Sequence, residues 1–199
     1  PETAMKQEVD FILNTVGKLF CDIDYFAEYA SKVAIENYKD SIRSNRVYSC
    51  DAREEGAYFC AIPKYLCNSL EMAVSALFIY SLYDHEEWPK TEKPWKDNFN
   101  TGEWKQHLKN DWIPEYFSCR GTSSIKYIQA DTIEGFDIKN KILDLAVASR
   151  ILSIIRYGDI HAWNAFDYLI ETEDDYILFE SWTTCLLYTS PSPRDRSLS

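Results

Sequence analysis

Residues 165–182, AFDYLIETEDDYILFESW, decide much of the fold because apolar and polar side chains alternate on both sides of an acidic centre. The side chains that carry the alternation are Phe166, Tyr168, Ile170, Ile177, Phe179 and Ser181. A period of two is typical of strands with one buried face. Residues 173–175, EDD, provide the turn, although no glycine is present. The stretch therefore predicts a C-terminal β-hairpin.

Two longer apolar segments predict buried helices. The string LEMAVSALFIYSLY is apolar nearly all round, and a helix is expected from the first turn at Pro63 to about Tyr83. The string ILDLAVASRILSII has the same character. Asp137 is a suitable N-cap for it, and Gly158 is placed as the stop just after Tyr157. The sequence thus predicts two helices that are enclosed on several sides.

The remaining segments are weaker signals. A helix is expected over residues 6–20, and Asp22 or Asp24 can cap a second one to about Ser41. The polar stretch 42–56 is expected to be a loop.

Shorter stretches complete the fold prediction. Residues 58–62 fit either a short strand or a helical start, and Ser124 to Thr132 fit a strand. The predicted fold class is α+β: a mainly helical single domain over residues 5–184, with two buried helices and a small antiparallel sheet that includes the C-terminal hairpin.

The end of the chain has a different character. Residues 185–195 read CLLYTSPSPRD, which resembles the conceptual translation of a transposase adapter oligonucleotide used in sequencing libraries. Residues 185–199 are therefore expected to be a disordered artefact that makes few core contacts, and the natural C-terminus beyond Thr184 could be missing. Such a tail fits a metagenomic sequence.

Composition narrows the function classes. The net charge of −11 repels phosphate, so direct binding to nucleic acid is disfavoured and a basic partner surface is favoured. No run of apolar residues is long enough for a membrane span. Scattered cysteines without CxxC spacing indicate reduced thiols, and we expect a cytoplasmic protein of bacterial or phage origin. No nucleotide-binding or hydrolase motif is present, and no cofactor or metal is expected.

The strongest functional signal is the charge of the C-terminal segment. From residue 159 to residue 184 there are seven carboxylates and no Lys or Arg. The expected partner-binding residues combine acidic and aromatic side chains: Glu171, Glu173, Asp174, Asp175, Trp163 and Trp182. The expected function is non-catalytic binding of a basic, nucleic-acid-binding protein, in the manner of an inhibitor or immunity protein. The structural alternative is an ordinary hairpin with a solvated acidic turn.

Rival interpretations rest on thinner patterns. Cys119, His161 and Asp159 could assemble an enzyme site from distant parts of the chain, although no flanking signature supports a nucleophile. The run from Asp84 to Glu87 places three carboxylates around His85, but its spacing fits a solvated turn better than a metal site. Four tryptophans within residues 84–112 favour packing of an irregular segment over ligand stacking. A third interpretation is an accessory domain of a longer chain.

Overall fold

The fold was analysed in a computed structural model. It describes residues 14–15, 17–19, 22–30, 32–33, 37–48, 55–84, 106, 110, 128–130, 137–157 and 164–183. Its helices are α1 (Ile23–Ala30), α2 (Leu70–Asp84) and α3 (Asp137–Ala146). Its strands are β1 (Arg43–Tyr48), β2 (Glu55–Pro63), β3 (Ile128–Ala130), β4 (Ile151–Tyr157), β5 (Ala165–Thr172) and β6 (Asp175–Thr183). A 3-10 turn, Lys64–Leu66, follows β2.

All six strands form one antiparallel sheet in the order β1-β2-β6-β5-β4-β3. The predicted C-terminal hairpin is confirmed: β5 pairs with β6 across a two-residue turn. The hairpin lies in the middle of the sheet, because β2 pairs along the free side of β6 and β4 pairs along β5. The acidic hairpin is therefore flanked by strands on both sides.

Helices cover both faces of the sheet. One face, called here the α2 face, packs Tyr58, Cys60 and Leu178 against α1 and α2. The opposite face, called here the α3 face, packs Phe59 and Phe179 against α3. Because both faces are covered, seven consecutive residues of β2 are buried, and strict alternation of apolar and polar residues is lost there.

The predicted mainly helical fold is wrong, because the residues that the structure describes contain slightly more strand than α-helix, and the strands form one six-stranded sheet. The largest difference is in the helix predicted from Asp137 to about Tyr157. It ends at Ala146, and the apolar run ILSIIRY forms strand β4. Three β-branched isoleucines favour an extended chain, and a short run buried on both faces has no periodicity that distinguishes a strand from a helix.

Other element boundaries also differ from the prediction. The expected loop at 42–56 contains β1, whose polar side chains suit an edge strand. Residues 58–62 belong to β2, so the strand alternative is correct there. Pro63 ends that strand and precedes only the short 3-10 turn, and the α-helix predicted from Pro63 begins at Leu70. The Asp22 cap is confirmed by a 3.0 Å hydrogen bond from the Tyr25 amide to Asp22 Oδ1, but the helix ends at Ala30, well before the predicted end.

Within the described ranges, no helix is long and apolar enough to cross a membrane. The helix predicted over residues 6–20 is described only at residues 14–15 and 17–19, and these residues are helical. The expectation for residues 185–199 lies outside the described ranges. The strand predicted over Ser124 to Thr132 is seen as β3, which pairs with β4.

Candidate functional site at the hairpin end of the sheet

The turn between β5 and β6 is built without glycine. The Thr172 hydroxyl accepts hydrogen bonds from the amides of Asp175 (2.8 Å) and Asp174 (3.3 Å), so a side chain closes the turn. Neighbouring segments hold the tip in place. The Lys64 amide donates to the Asp174 carbonyl (2.8 Å), and the Glu173 amide donates to the Arg150 carbonyl (3.0 Å). The acidic tip is therefore a fixed part of the sheet.

Glu171 is one of the predicted binding residues, and it is buried at 5% exposure. Its carboxylate forms an ion pair with Lys64 and accepts a hydrogen bond from the Ser153 hydroxyl (3.4 Å). The Lys64 ammonium also lies 5.0 Å from the ring centroid of Tyr176. A buried carboxylate with these partners stabilises the packing of β5 against β4 and the 3-10 turn.

Asp175 is also a predicted binding residue and is also buried. It lies 3.1 Å from Arg43 Nη2, and the same nitrogen donates to the Ala146 carbonyl at 2.8 Å. Burial raises the pKa of the Asp175 carboxyl, and the Arg43 guanidinium partly opposes that effect. One guanidinium thus ties β1 to β6 and to the end of α3.

Two predicted residues remain accessible at the tip. Glu173 pairs with Arg150 at 3.0 Å, but both side chains are largely in solvent, so the pair contributes little to stability. Asp174 is exposed, and no ion pair involves its carboxylate within the described part of the chain. Beside them, Tyr65 in the 3-10 turn is 83% exposed. The sequence analysis missed Tyr65, because no periodic pattern marks one exposed aromatic in a connecting turn.

The structure gives Trp182 a packing role. Gly56 of β2 pairs with Trp182 of β6, and a Cβ atom at Gly56 would lie only 2.4 Å from Cζ2 of the indole. The ring therefore covers the backbone where the glycine leaves space. Trp163, the other predicted aromatic anchor, lies outside the described residues.

A second polar group lies on the α2 face, at the end of the sheet away from the turn. The register places five polar or aromatic side chains in one row across β1, β2, β6, β5 and β4: Arg46, Tyr58, Glu180, Asp167 and Tyr157. The row puts two carboxylates directly opposite each other on neighbouring strands. Burial raises the pKa of the Tyr58 hydroxyl, and the nearby Cys60 and Asp84 add to that effect. This row had no signal in the sequence, because its members come from five separate strands.

The rival catalytic residues Cys119, His161 and Asp159 lie outside the described residues, as do His85 and the two glutamates after it. Across the described ranges, no three His, Cys, Asp or Glu side chains are grouped as metal ligands. Comparison with known protein families, with curated proteins and with solved structures gave no match.

Proposed function

We propose that the protein is a non-catalytic binding protein that recognises a basic protein surface through the exposed tip of its central hairpin. The surface, called here the tip surface, consists of Tyr65, Glu173 and Asp174. The single observation that supports it most is the 83% exposure of Tyr65 beside the exposed acidic turn. An aromatic side chain next to carboxylates is a suitable anchor for a cationic partner.

The rigid frame beneath the tip surface supports this proposal. Lys64, the residue before Tyr65, is held by its amide on the Asp174 carbonyl and by its ammonium on Glu171. An interface that is already ordered loses less conformational entropy when a partner binds. The buried carboxylates thus contribute indirectly, by fixing the residues that make contact.

Charge favours the class of partner. The chain carries −11 overall, so its field attracts basic proteins at long range and accelerates their association. Nucleic-acid-binding proteins such as nucleases have the matching positive surfaces. An inhibitor or immunity-type role follows if the tip surface covers the phosphate-binding surface of such a protein.

The test compares two charge-reversal variants of equal size. E173K/D174K changes the tip surface, whereas D24K/E55K makes the same charge change at exposed positions elsewhere. Asp175 is left intact because it is buried and bonded to Arg43. Tagged proteins are used to capture basic proteins from a bacterial lysate at low and high salt, and a captured partner is then titrated by calorimetry.

We expect E173K/D174K and Y65A each to weaken binding of that partner by about tenfold or more, and D24K/E55K to change it far less. Salt is expected to weaken the wild-type complex. Equal binding by wild type, E173K/D174K and Y65A would overturn the proposal. Equal weakening by both charge variants would show that net charge acts without a defined surface.

A further inference from the structure

The outer edge of β1 carries a further inference, independent of the tip surface. β1 is the first strand of the sheet, and no described strand pairs with its outer side. It is six residues long. Open strand edges present backbone donors and acceptors that another extended chain can use.

One hydrogen bond shows which backbone groups face outward. The Arg46 amide donates to Oδ1 of Asn45, the preceding residue, at 2.8 Å. An amide engaged in this way is not donating to β2. Because amides alternate in direction along an antiparallel strand, Ser44 and Arg46 face the open edge, and Arg43, Asn45 and Val47 face β2.

The side chains of β1 indicate the charge of a matching partner. The strand RSNRVY contains two arginines and no carboxylate, in a protein whose net charge is −11. Arg43 keeps 44% of its side chain exposed while it pairs with Asp175. Arg46 lies over the ring of Tyr58 on the other face of the sheet. The two arginines therefore flank the edge on opposite faces, three positions apart.

We propose that the β1 edge binds an extended acidic peptide segment of a partner protein as an added antiparallel strand. The segment would hydrogen-bond to the backbone at Ser44 and Arg46, and it would displace the Asn45 side chain from the Arg46 amide. Carboxylates spaced three residues apart in the segment would lie opposite Arg43 and Arg46. A second copy of this chain is a poorer occupant, because its own β1 carries two arginines and no carboxylate, so that two paired β1 strands would bring like charges together.

The test uses a synthetic ten-residue peptide of alternating Thr and Val with two glutamates three residues apart, and a control peptide with lysines in their place. Binding to the full chain is measured by fluorescence anisotropy. We expect the acidic peptide to bind about tenfold more tightly than the lysine peptide, with the difference reduced by salt.

The matched variants are S44P and S44A. Proline removes an amide that faces the open edge, so the β1–β2 hydrogen bonds are kept and the strand remains folded. S44A keeps the amide and removes only the hydroxyl. We expect S44P to lose at least tenfold in peptide affinity, S44A to bind like wild type, and N45A to bind more tightly because its competing side chain is gone.

Circular dichroism and thermal melting establish that each variant is folded. If S44P is unfolded, N45A and the two peptides still decide the matter. Equal affinity for both peptides, equal binding by folded S44P and S44A, or no peptide binding would overturn the proposal. Concentration-dependent dimerisation that S44P abolishes would assign the edge to a second copy and would also overturn it.

Discussion

Gly56 and Trp182 provide the sharpest test of how β2 and β6 pack at the end of the sheet away from the turn. A Cβ atom at Gly56 would lie 2.4 Å from Cζ2 and 2.8 Å from Cε2 of the indole, well inside van der Waals contact. The ring must move, and overpacking of this kind costs about 1–3 kcal/mol. The lower entropy of an unfolded alanine chain returns about 0.4–1 kcal/mol. G56A should therefore destabilise the fold by about 1–2 kcal/mol.

The assay is urea denaturation followed by far-UV circular dichroism, applied to wild type, G56A, W182L and the double variant. Leucine at position 182 leaves room for the new methyl group, so the cost of G56A should disappear in the W182L background. We expect a coupling of about 1–2 kcal/mol between the two positions. Additivity within about 0.5 kcal/mol, or a G56A protein as stable as wild type, would refute the packing assigned to Trp182.

Three further outcomes are expected from the hairpin end of the sheet. K64M should lower the free energy of unfolding by about 3–5 kcal/mol in urea titrations, because it leaves the Glu171 carboxylate buried without its cation. K64M/E171Q should recover much of that loss, and a K64M protein as stable as wild type would contradict the prediction. The raised folded-state pKa of Asp175 stabilises the fold below the unfolded pKa near 4, and that stabilisation is lost as pH rises through the folded value. Relative to wild type, D175N should therefore gain stability in thermal melts between about pH 4 and pH 7, despite the loss of its charged contact with Arg43, and a gain on acidification instead would contradict the sign. Burial raises the pKa of the Cys67 thiol to about 11, so the rate of its reaction with a disulfide reagent should rise about tenfold per pH unit between pH 7 and pH 10. A fast reaction whose rate does not depend on pH would contradict this, because it would show that the thiolate is already present at neutral pH.

The elements that the sequence predicted well are those with local signals. The alternation from Phe166 to Ser181 identified β5 and β6, and the apolar run in α2 identified a buried helix. The Asp22 cap was found for the same reason. Each of these features depends on residues a few positions apart.

The features that were missed depend on neighbours distant in the chain. β4 was assigned to a helix because a strand buried on both faces loses its period of two, and β1 looked like a loop because its side chains are polar. Likewise, the acidic hairpin looked unpaired because the cations that neutralise Glu171 and Asp175 lie more than a hundred residues earlier. Local composition gives no information about such pairing.

The position of β6 also has a consequence for biosynthesis. Glu55 and Thr183 lie 128 residues apart in the sequence and face each other across β2 and β6. The β1–β2 pair therefore leaves the ribosome long before the hairpin that completes the sheet. Until β6 is synthesised, the seven consecutive residues of β2 that are buried in the finished sheet have no β6 strand to pair with. A topology of such high contact order folds late and slowly, so the nascent chain is an expected client of ribosome-associated chaperones.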